Sequence, residues 1–376
     1  MATRTRKVEI NLGYACNARC PFCYYYDSVV TRSNEHTLSM DEAIAQLKLA
    51  RKCGVREIEF TGGEVTLRKD FPDIVRYAKH ELGFEVVSLI TNGIKLSNKR
   101  YTAALADAGV DDILFSLHGD DPATHDSITK VPESFRRLLQ GIDNAHELGL
   151  RVRTNTVVCK TNYRRLPQLF QLLLAKRVDN INLVMFNPII QATNVDITQE
   201  VYVNYADAGR EIMRAIDMYE DRLPLFNVRY MPFCFLPGYE KYITNMDQMT
   251  FDPDEWDNYL SFRIRKGRLV AWACLATGIL NMPYLFRIMR HGFAAVRTAA
   301  LSRFYVLKDR VKAKACSECA FENVCDYLYR DYVSQYGDRD VVAIKGPRMR
   351  HPAAAMLAAE FRRPGALPPK LAHHNA

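Results

Sequence analysis

Two groups of cysteines carry the chemistry that this chain can do. The first lies in Cys16-Asn17-Ala18-Arg19-Cys20-Pro21-Phe22-Cys23, three thiolates within eight residues. Soft thiolates at such spacing are ligands for iron–sulfur clusters or for zinc. Three protein ligands leave one iron of a cubane open, which that iron needs if it is to bind and cleave a small cofactor. A structural zinc site would close with a fourth ligand, and His36 reaches only if the loop folds back.

The second group is Cys316, Cys319 and Cys325, spaced C-x2-C-x5-C. Its fourth ligand has two upstream candidates. Cys234 lies in a turn-rich stretch bounded by Pro232 and Gly238, and is the favoured one. Cys274 lies in an apolar run, where a buried, inert cysteine is the usual occupant. Zinc suits this spacing as well. Cys53 and Cys159 fall in helix-end and strand patterns and read as core residues.

Other polar residues sit where strands should end. Gly62-Gly63-Glu64 offers two glycines that let backbone approach a ligand closely, and a carboxylate able to accept from an ammonium. Thr91-Asn92-Gly93 and Ser116-Leu117-His118-Gly119 end the next two strand patterns, and Asn155 lies on the one after. An asparagine there can equally serve the local backbone. His118 reads either as a substrate-side acid or base or as a structural histidine.

The elements that must hold these residues follow from periodicity. Strands are expected at 7–12, 55–60, 85–90, 112–117, 151–158 and 181–186. Helices are expected at 40–53, 70–82, 97–108, 133–149 and 163–176, with Gly54, Gly83, Gly109 and Gly149 near their ends. Six repeated strand–helix units imply a parallel sheet with right-handed crossovers, an α/β fold of partial (β/α)6 TIM-like barrel type. Chemistry in such barrels gathers at the C-terminal strand ends, where the motifs lie.

The expected division is a barrel core at 1–197, a smaller cysteine-bearing region at 198–344 and a proline-rich, poorly ordered tail at 345–376. The second region opens with a helix from 198 to about 221. It includes an apolar, basic insertion at 269–306, read as packed helices or as a surface for an anionic membrane or lipid-like substrate.

Composition narrows the class. The chain has 376 residues, 48% hydrophobic and 25% charged, with a net charge of +8, as for a globular protein. No dense basic run alternates with aromatics, so a nucleic-acid partner is not expected. The basic start Met1-Ala2-Thr3-Arg4-Thr5-Arg6-Lys7 lacks an apolar signal core, and the expected location is the cytoplasm, with peripheral contact at the inner membrane face as the variant. Ten cysteines in a reducing compartment point to metal before disulfides.

C-x3-C-x2-C with an aromatic before the last cysteine resembles the signature of the radical S-adenosylmethionine (radical SAM) superfamily. The resemblance implies a [4Fe–4S] cluster on Cys16, Cys20 and Cys23 whose open iron chelates S-adenosylmethionine. Phe22 and the backbone near Tyr24 would lie beside the adenine. Gly62, Gly63 and Glu64 would take the methionine amino group, and Asn92, Ser116 and Asn155 would line the pocket. It further implies an electron donor such as flavodoxin or ferredoxin, cleavage to a 5′-deoxyadenosyl radical, and hydrogen abstraction from substrate.

The second cysteine set resembles the SPASM and twitch extensions of that superfamily. It lacks the further cysteine of the longer pattern, because position 329 is Tyr329. One auxiliary [4Fe–4S] cluster on Cys234, Cys316, Cys319 and Cys325 is the implied count. The expected substrate is a small metabolite, sugar, nucleoside or lipid-linked precursor, preferred because the cysteine loop begins at residue 16 with no leader-binding domain before it. A ribosomally made peptide is the alternative, and a non-catalytic zinc or iron–sulfur scaffold the rival outside the class. No catalytic residue beyond the cluster is assigned.

Overall fold

The structure is a computed structural model that describes residues 6–25, 37–186, 201–245, 252, 254–282 and 285–349. His36, the 197/198 boundary, the start of the expected helix at 198 and tail residues 350–376 lie outside the described residues.

The strands that form are β1 (Lys7–Asn11), β2 (Glu57–Thr61), β3 (Val86–Thr91), β4 (Asp112–Ser116), β5 (Arg151–Val158), β6 (Asn180–Met185), β7 (Leu225–Arg229) and β8 (Ile243–Thr244). They make one parallel sheet in chain order, curled as a half-barrel. The first six fall within two residues of their expected positions. The sheet then continues through β7 and β8, which the aromatic- and proline-rich surroundings had hidden. Beyond β8 the chain returns to the opposite edge, where Trp256 bridges Lys7 in parallel.

Helices α1 (Met40–Lys52), α2 (Phe71–Arg76), α3 (Lys99–Ala108), α4 (Pro122–Thr129), α5 (Ser134–Glu147), α6 (Leu166–Ala175) and α7 (Tyr205–Tyr219) accompany the sheet. Local chemistry starts and stops them. Ser39 and Glu42 form a reciprocal capping box on α1, and Gly109 at φ 106° ends α3 in the left-handed region. Two boundaries differ from expectation. The 70–82 stretch splits into α2 and a π turn over Tyr77–Glu81. The unforeseen α4 is started by the Asp121 side chain accepting from Thr124 N, with Pro122 at the first turn.

β1 and β2 alternate strictly, as Lys7-Val8-Glu9-Ile10-Asn11 and Glu57-Ile58-Glu59-Phe60-Thr61. Successive side chains point to opposite faces. Val8, Ile10, Ile58, Phe60, Val87, Leu89, Ile113, Phe115 and Val152 are buried in the hydrophobic core. The concave face carries the polar positions, and Glu59, Asp112, Arg151 and Arg153 among them are paired.

Arg153 donates to Glu59 at 2.6 Å and to Asp112 at 2.8 Å, and Lys7 Nζ lies 3.4 Å from Glu59. Arg151 bridges Asp112 at 3.1 Å and Asp254 at 2.8 Å, which ties the returning segment under the barrel. Burial alone would raise the Glu59 carboxyl, but Lys7 and Arg153 outweigh it and hold it at about 2. Its stabilising contribution is full above the ordinary carboxylate value of 4.5 and is lost as pH falls toward about 2.

A helical unit follows, with α8 (Asn258–Lys266), α9 (Arg268–Leu280), α10 (Leu285–Ile288) and α11 (Phe293–Asp309). It is fixed to the β1 edge, where Glu9 N donates to Ser261 Oγ at 3.1 Å and Asp257 N to Lys7 O at 2.7 Å. A short antiparallel pair, β9 (Arg310–Val311) and β10 (Leu328–Tyr329), leads to α12 (Arg330–Tyr336). Among the described residues no single helix is long and apolar enough to cross a membrane.

Removing the shared cation should expose the cost of this interior. Arg153→Leu leaves Glu59 and Asp112 buried without their partner and is expected to destabilise the fold by about 3–5 kcal/mol in urea denaturation. Arg56→Ala, which breaks only the exposed 3.2 Å pair with Glu85, should cost less than about 1 kcal/mol.

Candidate active site

The loop after β1 carries the first three cysteines, and the β2 end is pressed against it. Gly63 N donates to Gly13 O at 2.7 Å and Glu64 N to Ala15 O at 2.8 Å. A Cβ on Gly62 would lie 2.2 Å from Gly13 O, and one on Gly63 would lie 2.3 Å from Ala15 O. Both glycines are thus required by the chain's own cysteine loop, before any ligand is considered. Arg19 N donates to Thr129 O at 2.9 Å, which pins the same loop to α4.

Within the loop, Cys16 Sγ accepts from Ala18 N and Cys23 Sγ from Tyr25 N, each at 3.4 Å. Burial is the main force on all three thiols, pushing Cys16 up to about 12 and raising Cys20 and Cys23; Cys16 and Cys20 also feel the neighbouring sulfurs. These thiols hold their protons at neutral pH and would release them on metal ligation. Three thiols enclosed in one loop suit a cluster with one open iron.

Glu64 is buried and already well occupied. Its Oε1 accepts from Thr66 N at 3.1 Å, Thr66 Oγ1 at 2.6 Å and Thr91 Oγ1 at 2.8 Å, and its Oε2 accepts from Asn92 N at 2.7 Å. Burial raises its pKa while those bonds oppose the shift. The carboxylate therefore braces the β2 and β3 ends, and Oε2 keeps acceptor capacity for one more donor. Asn92 Nδ2 donates to Asn17 Oδ1 at 2.7 Å, so the β3 turn also holds the cysteine loop.

Phe22 packs edge-on against His118, centroids 4.7 Å apart. His118 Nδ1 accepts from Val157 N at 3.3 Å, and His118 N donates to His125 Nδ1 at 3.1 Å. Burial, then the neighbouring His125, keeps His118 neutral, far below its ordinary value. These contacts are those of a structural histidine that backs Phe22. The Tyr24 side chain is hydrogen-bonded to Tyr230 at the β7 end, and burial pushes its pKa up.

Ser116 and Asn155 stand side by side on β4 and β5, and the rung continues to Asn182 on β6 and Asn227 on β7. Asn227 Nδ2 donates to Asn182 Oδ1 at 2.8 Å. Asn155 Oδ1, Asn182 Nδ2 and Asn227 Oδ1 are buried with no hydrogen-bond partner. Asn182 and Asn227 were not foreseen. The available signal was an asparagine, a residue depleted in strands, inside a β-branched run.

Cys234, Cys316, Cys319 and Cys325 of the second group line one small pocket together with Phe233 and Glu322. Two short 3-10 turns, Phe233–Phe235 and Lys314–Glu318, carry Cys234 and Cys316, Cys319 directly follows the second, and Phe233 stacks on Phe321 at 4.3 Å. Burial, then Cys316 and Cys319, pushes Cys234 up to about 12, and Cys325 is raised by burial and by Cys234. Cys274 instead sits on α9, where Lys308 is its charged neighbour. The structure brings Cys234 to the group and leaves Cys274 apart.

Among the described residues no three His, Cys, Asp or Glu side chains are drawn in to one ion position. The four C-terminal cysteines instead share the lining of one pocket, and four thiols are a donor set that an iron–sulfur cluster or zinc takes.

Residues 10–173 match the family model described as the radical SAM superfamily. The chain is 32% identical over 183 residues to "Probable GTP 3',8-cyclase" of Sulfolobus acidocaldarius, covering 48% of this chain and 56% of that protein. It is 36% identical over 183 residues to the protein of the same name from Saccharolobus solfataricus, covering 48% and 57%. The chain thus spans little more than half the length of the curated relatives it matches. SuiB of Streptococcus suis, solved with the precursor peptide SuiA, shares the fold: TM-score 0.51, 20% identity, 62% of this chain and 51% of that one.

Gly63→Ala tests the docked loop. To restore ordinary contact with the new Cβ the Ala15 carbonyl must move by roughly 1 Å. Iron retained by the N-terminal loop, measured in a Cys234→Ala/Cys319→Ala background, should fall sharply with far-UV dichroism unchanged. Gly83→Asn, at φ 66° with open space around it, should leave the iron as it was.

Proposed function

We propose that this chain, a member of the radical SAM superfamily through residues 10–173, is an enzyme that binds a [4Fe–4S] cluster on Cys16, Cys20 and Cys23 and reductively cleaves S-adenosylmethionine to start hydrogen abstraction from a small polar metabolite. The observation that carries this reading is the backbone docking of Gly62-Gly63-Glu64 onto the three-cysteine loop. It holds three thiols and a buried carboxylate together at the C-terminal strand ends.

The bound cluster and S-adenosylmethionine would supply carbon–sulfur cleavage and a hydrogen-abstracting fragment. The residues' part is positioning. Glu64 Oε2, with its spare acceptor capacity, is placed for the cofactor's ammonium, while Thr91 and Asn92 keep the carboxylate from turning. Phe22, backed by neutral His118, supplies an apolar wall for the adenine. The enclosed loop keeps water and stray hydrogen donors from the reacting atoms.

For substrate, the rung Asn155, Asn182 and Asn227 is the guiding feature. Its unpaired amide atoms ask for a ligand with both donors and acceptors, as a nucleobase or a sugar has. The barrel relatives' name, a GTP cyclase, agrees with a nucleoside-type ligand. A ribosomally made peptide is the second reading. It is favoured by the four-cysteine cavity, because auxiliary-cluster members of the superfamily often modify peptides.

That cavity is read as the seat of one auxiliary [4Fe–4S] cluster on Cys234, Cys316, Cys319 and Cys325. It lies in the proposed C-terminal region, which starts near residue 198 and shares β7 and β8 with the barrel. Flavodoxin or ferredoxin is the proposed electron donor.

The test is anaerobic reconstitution followed by incubation with S-adenosylmethionine and reductant. The wild-type chain should form 5′-deoxyadenosine, and none forming on a chain with its full iron and sulfide complement would refute the enzyme. Cys20→Ala should abolish the product, while Cys319→Ala should keep some cleavage uncoupled from substrate. In iron counting, Cys234→Ala should lose as much iron as Cys319→Ala, and Cys274→Ala none.

A further inference from the structure

The α8–α11 unit carries a charge and an apolar face that the proposed chemistry does not use. Residues 258–308 contain nine Lys or Arg and no Asp or Glu, whereas the rest of the chain holds 42 basic and 43 acidic residues. The chain's whole positive excess therefore lies in this one unit.

The same unit is unusually apolar outside. Seven of the twelve large hydrophobic side chains exposed among the described residues fall between 269 and 293. Leu269 is 87% exposed, Phe286 85% and Leu280 84%, with Trp272, Met289 and Phe293 also exposed. The helix α9 is apolar on both sides. Ala271, Leu275 and Gly278 face inward, where a Cβ on Gly278 would lie 1.8 Å from Ala300 O on α11. Leu269, Trp272, Ala276 and Leu280, spaced three or four apart, make the outer stripe. A surface helix of a soluble fold ordinarily turns polar residues outward.

We infer that the outer face of α9 and α10 is a docking surface for an anionic lipid bilayer, on which the enzyme sits peripherally. Leu269, Trp272, Leu280 and Phe286 enter the headgroup–acyl boundary, and exposed Lys266, Arg268 and Arg290 meet lipid phosphates. Charge selects this occupant. A second copy of the chain would bring the same acid-free patch face to face with itself. The 350–376 segment carries Arg350, Arg362, Arg363 and Lys370 against Glu360 alone, so it is repelled as well. Beside Trp272, Phe286 and Phe293 the patch holds Leu269, Val270, Leu280 and Met289, aliphatic surface that acyl chains bury and that offers stacked bases nothing.

The test is cosedimentation of the full-length, reconstituted protein with vesicles of phosphatidylcholine alone and of phosphatidylcholine with phosphatidylglycerol. The protein should pellet with the anionic vesicles and stay in solution with the neutral ones. Lys266→Gln/Arg268→Gln/Arg290→Gln should lower partitioning by roughly a hundredfold, about fivefold per cation. Leu280→Asp/Phe286→Asp should abolish it while 5′-deoxyadenosine formation without vesicles and the melting temperature stay as in the wild type. No pelleting with anionic vesicles overturns the inference, as does pelleting that the Leu280→Asp/Phe286→Asp variant leaves intact. A concentration-dependent dimer dissolved by that variant, with no vesicle binding, overturns it in favour of self-association.

Discussion

A half-barrel whose concave face is charged can stand only if those charges find one another. Arg153 is the hub. It is fully buried on β5 and reaches Glu59 on β2 and Asp112 on β4, while Arg151 carries the network on to Asp254 in the segment returning beneath the sheet. Each carboxylate there would be expensive to bury alone. The network therefore does more than fill space. It selects the curvature that brings β2, β4 and β5 within reach of one guanidinium, and it closes the N-terminal end. The cysteine loop, the glycine pair and the asparagine rung all lie toward the opposite, C-terminal rim.

At the rim the same logic appears in hydrogen bonds. The glycines of β2 surrender side chains so that two backbone segments can touch, and Glu64 then ties the β2 turn to the β3 turn through Thr91 and Asn92. A motif that reads as ligand-binding in sequence is first an assembly joint. Both roles are compatible, because the joint uses the glycine backbone and most of the carboxylate while leaving one oxygen with capacity to spare. Pre-organisation is then a by-product of folding: the cysteine loop is positioned by the chain's own backbone contacts.

Much of this was legible in the residues because short β-branched runs, turns and amphipathic stretches repeat six times. Six strand positions and the convergence of three motifs on one rim follow from those runs and from glycines at helix ends. What escaped was short or depended on long-range contact. β8 has two residues and β7 five, too few to stand out beside tyrosines and prolines. The helix α4 depends on one Asp cap and a proline rather than on a long apolar stripe. The pairing of Cys234 with the C-terminal set spans more than eighty residues and rests on the Phe233–Phe321 stack, which no local pattern encodes. Asn182 read as strand interior and Asn227 lay in an unrecognised strand, and only the register aligns both with Asn155.

The two cysteine sites also share a wall. Tyr24, next to Cys23, is hydrogen-bonded to Tyr230, and Tyr230 stands at φ 61° at the β7 end, in a region that non-glycine residues seldom occupy. Two residues later Pro232 begins the turn that presents Cys234. Holding a tyrosine in that backbone state costs energy that the surrounding packing must supply. The contact that fixes Tyr24 beside the first cysteine loop thus helps set the direction in which the chain leaves β7 toward the second. The geometry of one cysteine site is in this way a boundary condition on the other, although more than two hundred residues separate Cys23 from Cys234.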